Sequence, residues 1–352
     1  MNKPLKTLFL ILFSLLGGLP SCKKEETQSV KVTTDPVSQI SRTSGVVKGS
    51  FINEGPDTII AYGFCWSFDA QPTYDDNRIV PQSLESGNST NGTYNSGING
   101  LSPGTTYYVR AYAVTVESKI YGNQETFTTK PPTALTTFNP DLTYQSVSDI
   151  DGNIYKTINI DTHEWMAENL KTTRYNDGTV IPLVTDDTQW NLLNTPGYCW
   201  YNNDEAVFKN IYGGYSNWYA VNTGKLCPAG WHVPDETDWA AFKEYLGMTP
   251  DEISGLPFKE VTEGNKIKET GSFNWVEGSV TATNESGFTA LPGGMRRVGP
   301  VNFGGEGSTA TWWSSDTRAP VSHWVYNFEG WFFRSDMLQR GYGFNVRCVK
   351  DL

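Results

Sequence analysis

The chain has 352 residues, room for two domains, and is 13% aromatic with 34 glycines and only 18% charged residues; that composition fits short strands and turns and excludes a helical bundle or a disordered chain. Its formal net charge is −11 with no Lys/Arg cluster beyond Lys23-Lys24, so phosphate backbones are repelled and no nucleic-acid partner is expected. Three scattered histidines and the lack of HxxxH or CxxC spacing argue against a dedicated zinc site, and no metal or cofactor is expected.

Residues 1–21 read as an address rather than as structure. Lys3 and Lys6 precede the apolar run "LFLILFSLLGGLP", which is too short for a comfortable membrane span. The run ends in "LPSC", which resembles the lipobox of bacterial lipoproteins, with Leu19 three residues before Cys22 and Pro20 departing from the usual small or aliphatic residue. Cleavage there leaves Cys22 as the lipidated N-terminus. It also removes two lysines and no acids, taking the net charge from −11 to −13. The following "KKEE" resembles the surface-export signal of Bacteroidetes lipoproteins. The expected location is therefore the outer membrane, exposed at the cell surface, with membrane lipid as partner through Cys22 and residues 22–27 as a tether. This compartment permits disulfides, and Cys65, Cys199, Cys227 and Cys348 are available to form them.

Residues 28–130 read as strands. "GVVKGSF", "TIIAYGFCWS", "TTYYVRAYAVTV" and "IYGNQETFTT" are rich in Val, Ile, Thr and Tyr and are divided by Gly, Asn, Asp and Pro. In "LSPGTTYYVRAYA", Tyr107, Val109, Ala111 and Ala113 fall on one face, and Tyr108, Arg110 and Tyr112 on the other. That alternation fits a strand buried on one side of a sandwich. The run resembles a fibronectin type III module, with Tyr107 in the place of its corner tyrosine. A β-sandwich acting as a spacer is expected. Pro131-Pro132 marks an extended linker over 131–143.

From about Tyr144 to the end the chain holds eleven of its twelve tryptophans and frequent turn signals. One helix is clear, near 235–246. Asp235 can cap it, Asp238 stands at the third helical position, and Gly247 can end it; Trp239, Phe242 and Leu246 make one apolar stripe. The remainder reads as strands, "TWWSSD", "HWVYNF" and "GFNVRCVK" most clearly.

The ordered motifs "DIDGNIYKTINIDTHEWMAENLKTTRYNDG", "YCWYNND", "NWYAVNTGKLCPAGWHVPDETDW", "ATNESGFTALPGGMR", "TWWSSD" and "GFNVRCVKD" resemble the Fibrobacter succinogenes major paralogous domain of bacterial surface and secreted proteins, over residues 149–352. "WHVPDETDW" followed by "GFNVRCV" is also similar to formylglycine-generating-enzyme-like domains. That likeness implies a C-type-lectin-like fold, with a small curled sheet, few helices and irregular loops. The expected class is mostly β: a fibronectin type III-like sandwich, then an α+β C-type-lectin-like domain over 144–352. The first resemblance carries no established activity, and the cysteines that the second family's chemistry needs have no match here.

"CPAGWHVPDETDW" (227–239) sets a thiol five residues before His232. A nucleophile would need a nearby base and a lowered pKa. Cys227 precedes the expected helix by eight residues, too far to sit at its N-terminus. A structural cystine between Cys227 and Cys348 is favoured, closing a loop of about 120 residues worth roughly 4–5 kcal/mol in the chain-entropy model. Buried free thiols and catalysis stay open. "DIDGN" (Asp149, Asp151, Asn153) looks like half a calcium loop, but the twelfth position is Ile160, and a hairpin turn is favoured. The 38 acids offer many pairs and no way to choose the two carboxylates that a glycosidase needs, so that alternative stays open.

The remaining feature is aromatic excess in "WVYNFEGWFFRSDMLQRGYG" (324–343). Flat rings with a neighbouring arginine suit sugar rings or peptide surfaces. The candidate ligand-binding residues are Trp331, Phe333 and Arg334, then Trp313 and Arg296. The function expected is non-catalytic binding or adhesion at the cell surface, with a glycan favoured over a protein ligand. An enzyme acting on surface polymers would instead need a deep polar pocket with an acid pair, or Cys227 reduced beside His232. A structural assembly subunit would need a long unpaired strand edge.

Overall fold

A computed structural model describes residues 30–352 except 80–81, 84–90, 134–135, 254–262, 272, 277–281, 301, 317–320, 327–332 and 338. The N-terminal unit is a sandwich. One sheet has the order β1 (Val30–Thr34), β2 (Ser44–Asn53), then β6 (Asn91–Asn99). The other is built on β3 (Ile59–Ser67) and β7 (Thr106–Thr115). It is flanked by β4 (Asn77–Arg78) and β5 (Gln82–Ser83) on the β3 side, and by β8 (Lys119–Tyr121) and β9 (Glu125–Thr128) on the β7 side. Val47, Phe64, Ile98, Val109, Ala111 and Phe127 meet between the sheets. A Cβ at Gly49 would lie 2.8 Å from the Thr33 carbonyl and 2.9 Å from Ala111, so the close approach of the sheets there requires glycine.

Tyr107 is buried, and its hydroxyl accepts a hydrogen bond from the Ser102 backbone N–H at 2.9 Å, pinning the turn that precedes β7. The fibronectin type III-like reading therefore holds at its most specific residue. The two-face pattern of β7 departs from expectation at Tyr112. It is fully buried on the outer side, where Tyr74 covers it with ring centroids 5.2 Å apart.

The C-terminal unit follows with β10 (Gln145–Ser148), β11 (Ile154–Ile160), β12 (His163–Met166), α1 (Asp187–Leu192), β13 (Tyr198–Cys199), α2 (Glu205–Tyr212), β14 (Tyr215–Ser216), α3 (Trp218–Val221), β15 (Trp231–His232), α4 (Glu236–Tyr245), α5 (Pro250–Ile253), α6 (Gly264–Ile267), β16 (Gly293–Arg296), β17 (Phe303–Glu306), β18 (Thr309–Trp313), β19 (Val321–Tyr326), β20 (Phe333–Met337) and β21 (Val349–Lys350). Its main sheet runs β10-β11-β12-β21-β15, so the last strand of the chain slots between two earlier ones. Around it lie small hairpins and short helices, and the chain as a whole is mostly β.

The helix α4 forms as its sequence implies. The Asp235 carboxylate accepts from the N–H groups of Thr237 (2.7 Å) and Asp238 (3.0 Å), and the Asp238 carboxylate accepts in return from the Asp235 N–H (2.8 Å). Trp239, Phe242 and Leu246 bury together with Trp165, Phe288 and Trp312. Gly247, at φ 98°, turns the chain out of the helix. Among the described residues, five further α-helices are short ones that the sequence does not mark. Asp186, Asp204 and Asn217 cap α1, α2 and α3, but these have 6, 8 and 4 residues, too few turns to show a periodic stripe. "GFNVRCVK" is likewise less regular than a strand. Phe344, Gly343 and Asn345 make single bridges to Ser216, Arg296 and Trp312, and only Val349–Lys350 joins the sheet.

The two units are joined by a buried polar network. Arg42, from the β1–β2 loop, is fully buried. Its guanidinium donates to the carbonyls of Pro131 and Thr133 (both 3.1 Å), to Asn274 Oδ1 (2.7 Å) and to the Tyr212 hydroxyl (3.0 Å). Tyr212 donates to Glu306 at 2.6 Å, and Glu306 lies 3.7 Å from Arg42 and accepts from the backbone N–H groups of Arg42 and Thr43. Asn274 also donates to Glu269, whose other oxygen accepts from the Thr137 N–H; burial raises the Glu269 carboxyl pKa to about 7. The segment expected as an extended linker is held to this network at Pro131, Thr133 and Thr137.

Candidate functional site

The neighbourhood of the thiol and imidazole resolves first. β21 lies beside β15, with His232 opposite Val349, which carries Cys348 to the turn at Cys227. The two form a disulfide across 121 residues. Neither cysteine sits within a strand: Cys227 lies in the bend before β15 and Cys348 one residue ahead of β21. Both are buried in the core with Trp218, Val233 and Trp313, and no thiolate is available at 227. Among the described residues the free thiols are Cys65 and Cys199; both are buried, and burial pushes them up to about 12 and about 11, away from nucleophilic behaviour.

His232 has a mechanical place instead. Its Nδ1 lies 2.6 Å from Asp351 and its Nε2 3.1 Å from Asp238, and His163 approaches the other Asp238 oxygen at 3.9 Å. Carboxylates at both ring nitrogens call for two N–H donors, which is the imidazolium. Burial lowers the pKa of this ring, but the hydrogen bonds and charges of Asp351 and Asp238 outweigh it and the net shift is upward. The ring ties β15 to the start of α4 and to the C-terminus.

"DIDGN" is a hairpin turn between β10 and β11. Asp149 Oδ1 accepts from the N–H groups of Asp151 (3.0 Å) and Asn153 (2.9 Å), and Oδ2 from the Asn153 amide (2.8 Å) and the Tyr155 hydroxyl (2.5 Å). Asp151 turns away to Thr172 and Thr173. Asp149 and Asn153 serve the turn and Asp151 a neighbouring segment, so the three side chains do not converge on one point.

Two of the expected ligand-binding residues are corrected by their burial. Trp313 is fully buried, stacks at 4.6 Å on Phe344 and donates its indole N–H to the Ser216 carbonyl at 2.7 Å. Arg296 is also fully buried. It donates to the Val184 carbonyl (2.8 Å), Asn203 (3.2 Å) and Asp187 (2.9 Å), and lies over the Trp190 ring at 4.3 Å. Neither can form a surface rim; both hold loops together. Trp331 lies outside the described residues. Phe333 and Arg334 open β20, paired with Val325 and Trp324, and their side chains also lie outside the described set.

The described end of the same aromatic tract forms a surface. Arg340 is exposed, and its guanidinium lies 4.8 Å over the ring of Trp218, whose backbone N–H donates to the Arg340 carbonyl at 3.0 Å. Tyr219 stands edge-on to Trp218 at 6.3 Å, and Tyr342 lies 5.7 Å from Phe344; both tyrosines are half-buried against the core. Asn217 sets this geometry. Its Oδ1 caps α3 by accepting from the Ala220 N–H (3.0 Å), and its amide donates to the Thr195 carbonyl (2.8 Å). Trp218 and Phe344 are themselves buried, so what the arrangement turns outward is the Arg340 guanidinium and two half-buried tyrosines, a chemistry suited to hydrogen bonding with some apolar contact. Trp218 and Tyr219 were not singled out from the sequence; the asparagine cap directly before a Trp-Tyr pair was the signal available.

A family model described as the Fibrobacter succinogenes major domain matches residues 158–350. No curated protein is significantly similar to the chain. Among solved structures, the sensor domain of the anti-sigma factor RsgI4 in Pseudobacteroides cellulosolvens is 17% identical, with a TM-score of 0.25; the match covers 30% of this chain and 98% of that domain. The sixth fibronectin type III domain of human fibronectin type III domain containing protein 3 is 21% identical, with a TM-score of 0.21, covering 30% of this chain and 88% of that one. A fibronectin type III domain from the human KIAA0970 protein is 18% identical, with a TM-score of 0.19, covering 34% and 86%. These likenesses extend to about a third of the chain.

Proposed function

The chain belongs to the Fibrobacter succinogenes major domain family, and from that premise we propose that it is a lipid-anchored, surface-exposed, non-catalytic binding protein. Cys22 anchors it to the outer membrane, and the sandwich carries a C-type-lectin-like domain away from the lipid. The ligand is a glycan, met without calcium by the aromatic end of that domain. The observation that carries this reading is the exposed Arg340 guanidinium lying over the buried Trp218 ring beside half-buried Tyr219, set on a core in which Cys227 and Cys348 are joined to each other. Trp331, Phe333 and Arg334 extend the same surface in this proposal. Paired and buried cysteines support binding over thiol catalysis.

The test is a glycan and host-protein array probed with the soluble chain beginning at Lys23, beside Arg340→Ala and Trp331→Ala. The reading expects glycan binding that either change weakens about tenfold or more, the loss of one stacking or charge-assisted contact, while the fold is kept. Binding untouched by both changes rejects the surface, and binding confined to proteins rejects the ligand class.

A further inference from the structure

Among the described residues, one long edge of the sandwich has no strand beside it. β6 is nine residues long and pairs with β2 along its whole length, from Asn91 with Ile52 to Asn99 with Ser44, without a bulge. Among the described residues its other side has no strand partner. Folded proteins blunt such edges with charge, proline, a bulge or brevity. The other edges of this sandwich follow that rule: β1 carries Lys31, β4 Arg78, β8 Lys119 and β9 Glu125, and β5 has two residues. In β6, "NGTYNSGIN", there is no charge and no proline. The longest edge is the one without a guard.

The residues that β6 exposes, Asn91, Thr93, Asn95, Gly97 and Asn99, also match their own reverse. Laid antiparallel on a second copy about a twofold axis at Asn95, Asn91 meets Asn99, Thr93 meets Gly97, and Asn95 meets itself. Each carboxamide carries a donor and an acceptor, so facing asparagines can pair without leaving a polar atom unsatisfied. The glycine leaves room for the threonine opposite. A chain of net charge −11 repels its own copies, and β6 itself adds no charge to that repulsion.

We propose that β6 is a self-association edge: two copies pair antiparallel through β6, centred on Asn95, and join their three-stranded sheets into one continuous six-stranded sheet. The contact is isologous, so it closes at a dimer. It is a small interface and is expected to be concentration-dependent. The proposal does not rest on the ligand-binding reading and survives or fails separately from it.

The test uses the soluble chain from Lys23 in sedimentation equilibrium. The chain should show a monomer–dimer equilibrium, and Asn95→Lys should weaken it about tenfold or more, because two ammonium groups would then face each other directly. Asn95 is exposed, so the substitution should leave the near-UV circular dichroism unchanged. Asn95→Cys should form a disulfide-linked dimer on mild oxidation, since opposed Cα atoms in an antiparallel pair lie within disulfide reach. The buried Cys65 and Cys199 cannot supply that link. A chain that stays monomeric at every concentration overturns the proposal. So does a dimer that Asn95→Lys does not weaken, or an Asn95→Cys variant that fails to cross-link.

Discussion

Replacing Arg42 by methionine tests whether the two units act as one body. Methionine keeps the length and apolar stem but removes the guanidinium. The Pro131 and Thr133 carbonyls then lose their donor, and Glu306, which is 4% exposed, loses the cation 3.7 Å away. Breaking a buried ion pair from one side costs about 3–5 kcal/mol, a large part of the ~5–15 kcal/mol that holds a domain folded. Much of that cost is the carboxylate left behind, so Arg42→Met/Glu306→Gln should recover at least about 1 kcal/mol relative to Arg42→Met. Urea unfolding followed by fluorescence gives the numbers, since eleven tryptophans report on the second unit and Trp66 alone on the first. The native chain should unfold in one transition and Arg42→Met in two, as each unit loses its support from the other. A single variant within about 1 kcal/mol of the native chain, unfolding in one transition, would refute the reasoning.

The Cys227–Cys348 bridge closes 121 residues, so Cys227→Ser/Cys348→Ser should lower stability by about 2–5 kcal/mol, read as a fall in urea midpoint that reductant reproduces in the native chain. An unchanged midpoint would mean the bridge constrains nothing. The His232 imidazole has its pKa raised on folding, so its contribution is complete below the unfolded value, about 6.5, and is lost as pH rises through the higher folded value. As pH rises above the unfolded value of about 6.5, the native midpoint should therefore fall more steeply than that of His232→Gln, and parallel curves would sink the strut reading.

The parts legible in the sequence are those determined locally. Asp235, Asp238 and Gly247 mark the ends of α4 within thirteen residues, and Tyr107 closes on Ser102 only five residues away. Their hydrogen bonds are satisfied by neighbours in the chain, so residue type and spacing suffice. Arg42 is the opposite case. In "ISRTSG" it reads as a surface residue of a turn, and its bond to Tyr212 spans 170 positions. Arg296 and Trp313 mislead for the same reason: arginine and tryptophan suit a binding face, yet Asp187 and the Val184 carbonyl, more than a hundred residues earlier, draw the first inward. The Ser216 carbonyl holds the second. A buried arginine is identified by its acceptors, and those come from elsewhere in the chain. The aromatic rim divides along the same line. Arg340 and Tyr342 lie in the tract that draws attention, whereas Trp218 arrives from a four-residue helix that leaves no periodic trace.

The account turns on one claim: the neighbourhood of Cys227 and His232 is scaffold, and contact with the outside is made elsewhere. Thiol titration of the soluble chain from Lys23, native and then denatured without reductant, tests it directly. The account predicts no reactive thiol in the native protein and two after denaturation, those of Cys65 and Cys199. A thiol that reacts in the native state and maps to Cys227, or four thiols on denaturation, would contradict it.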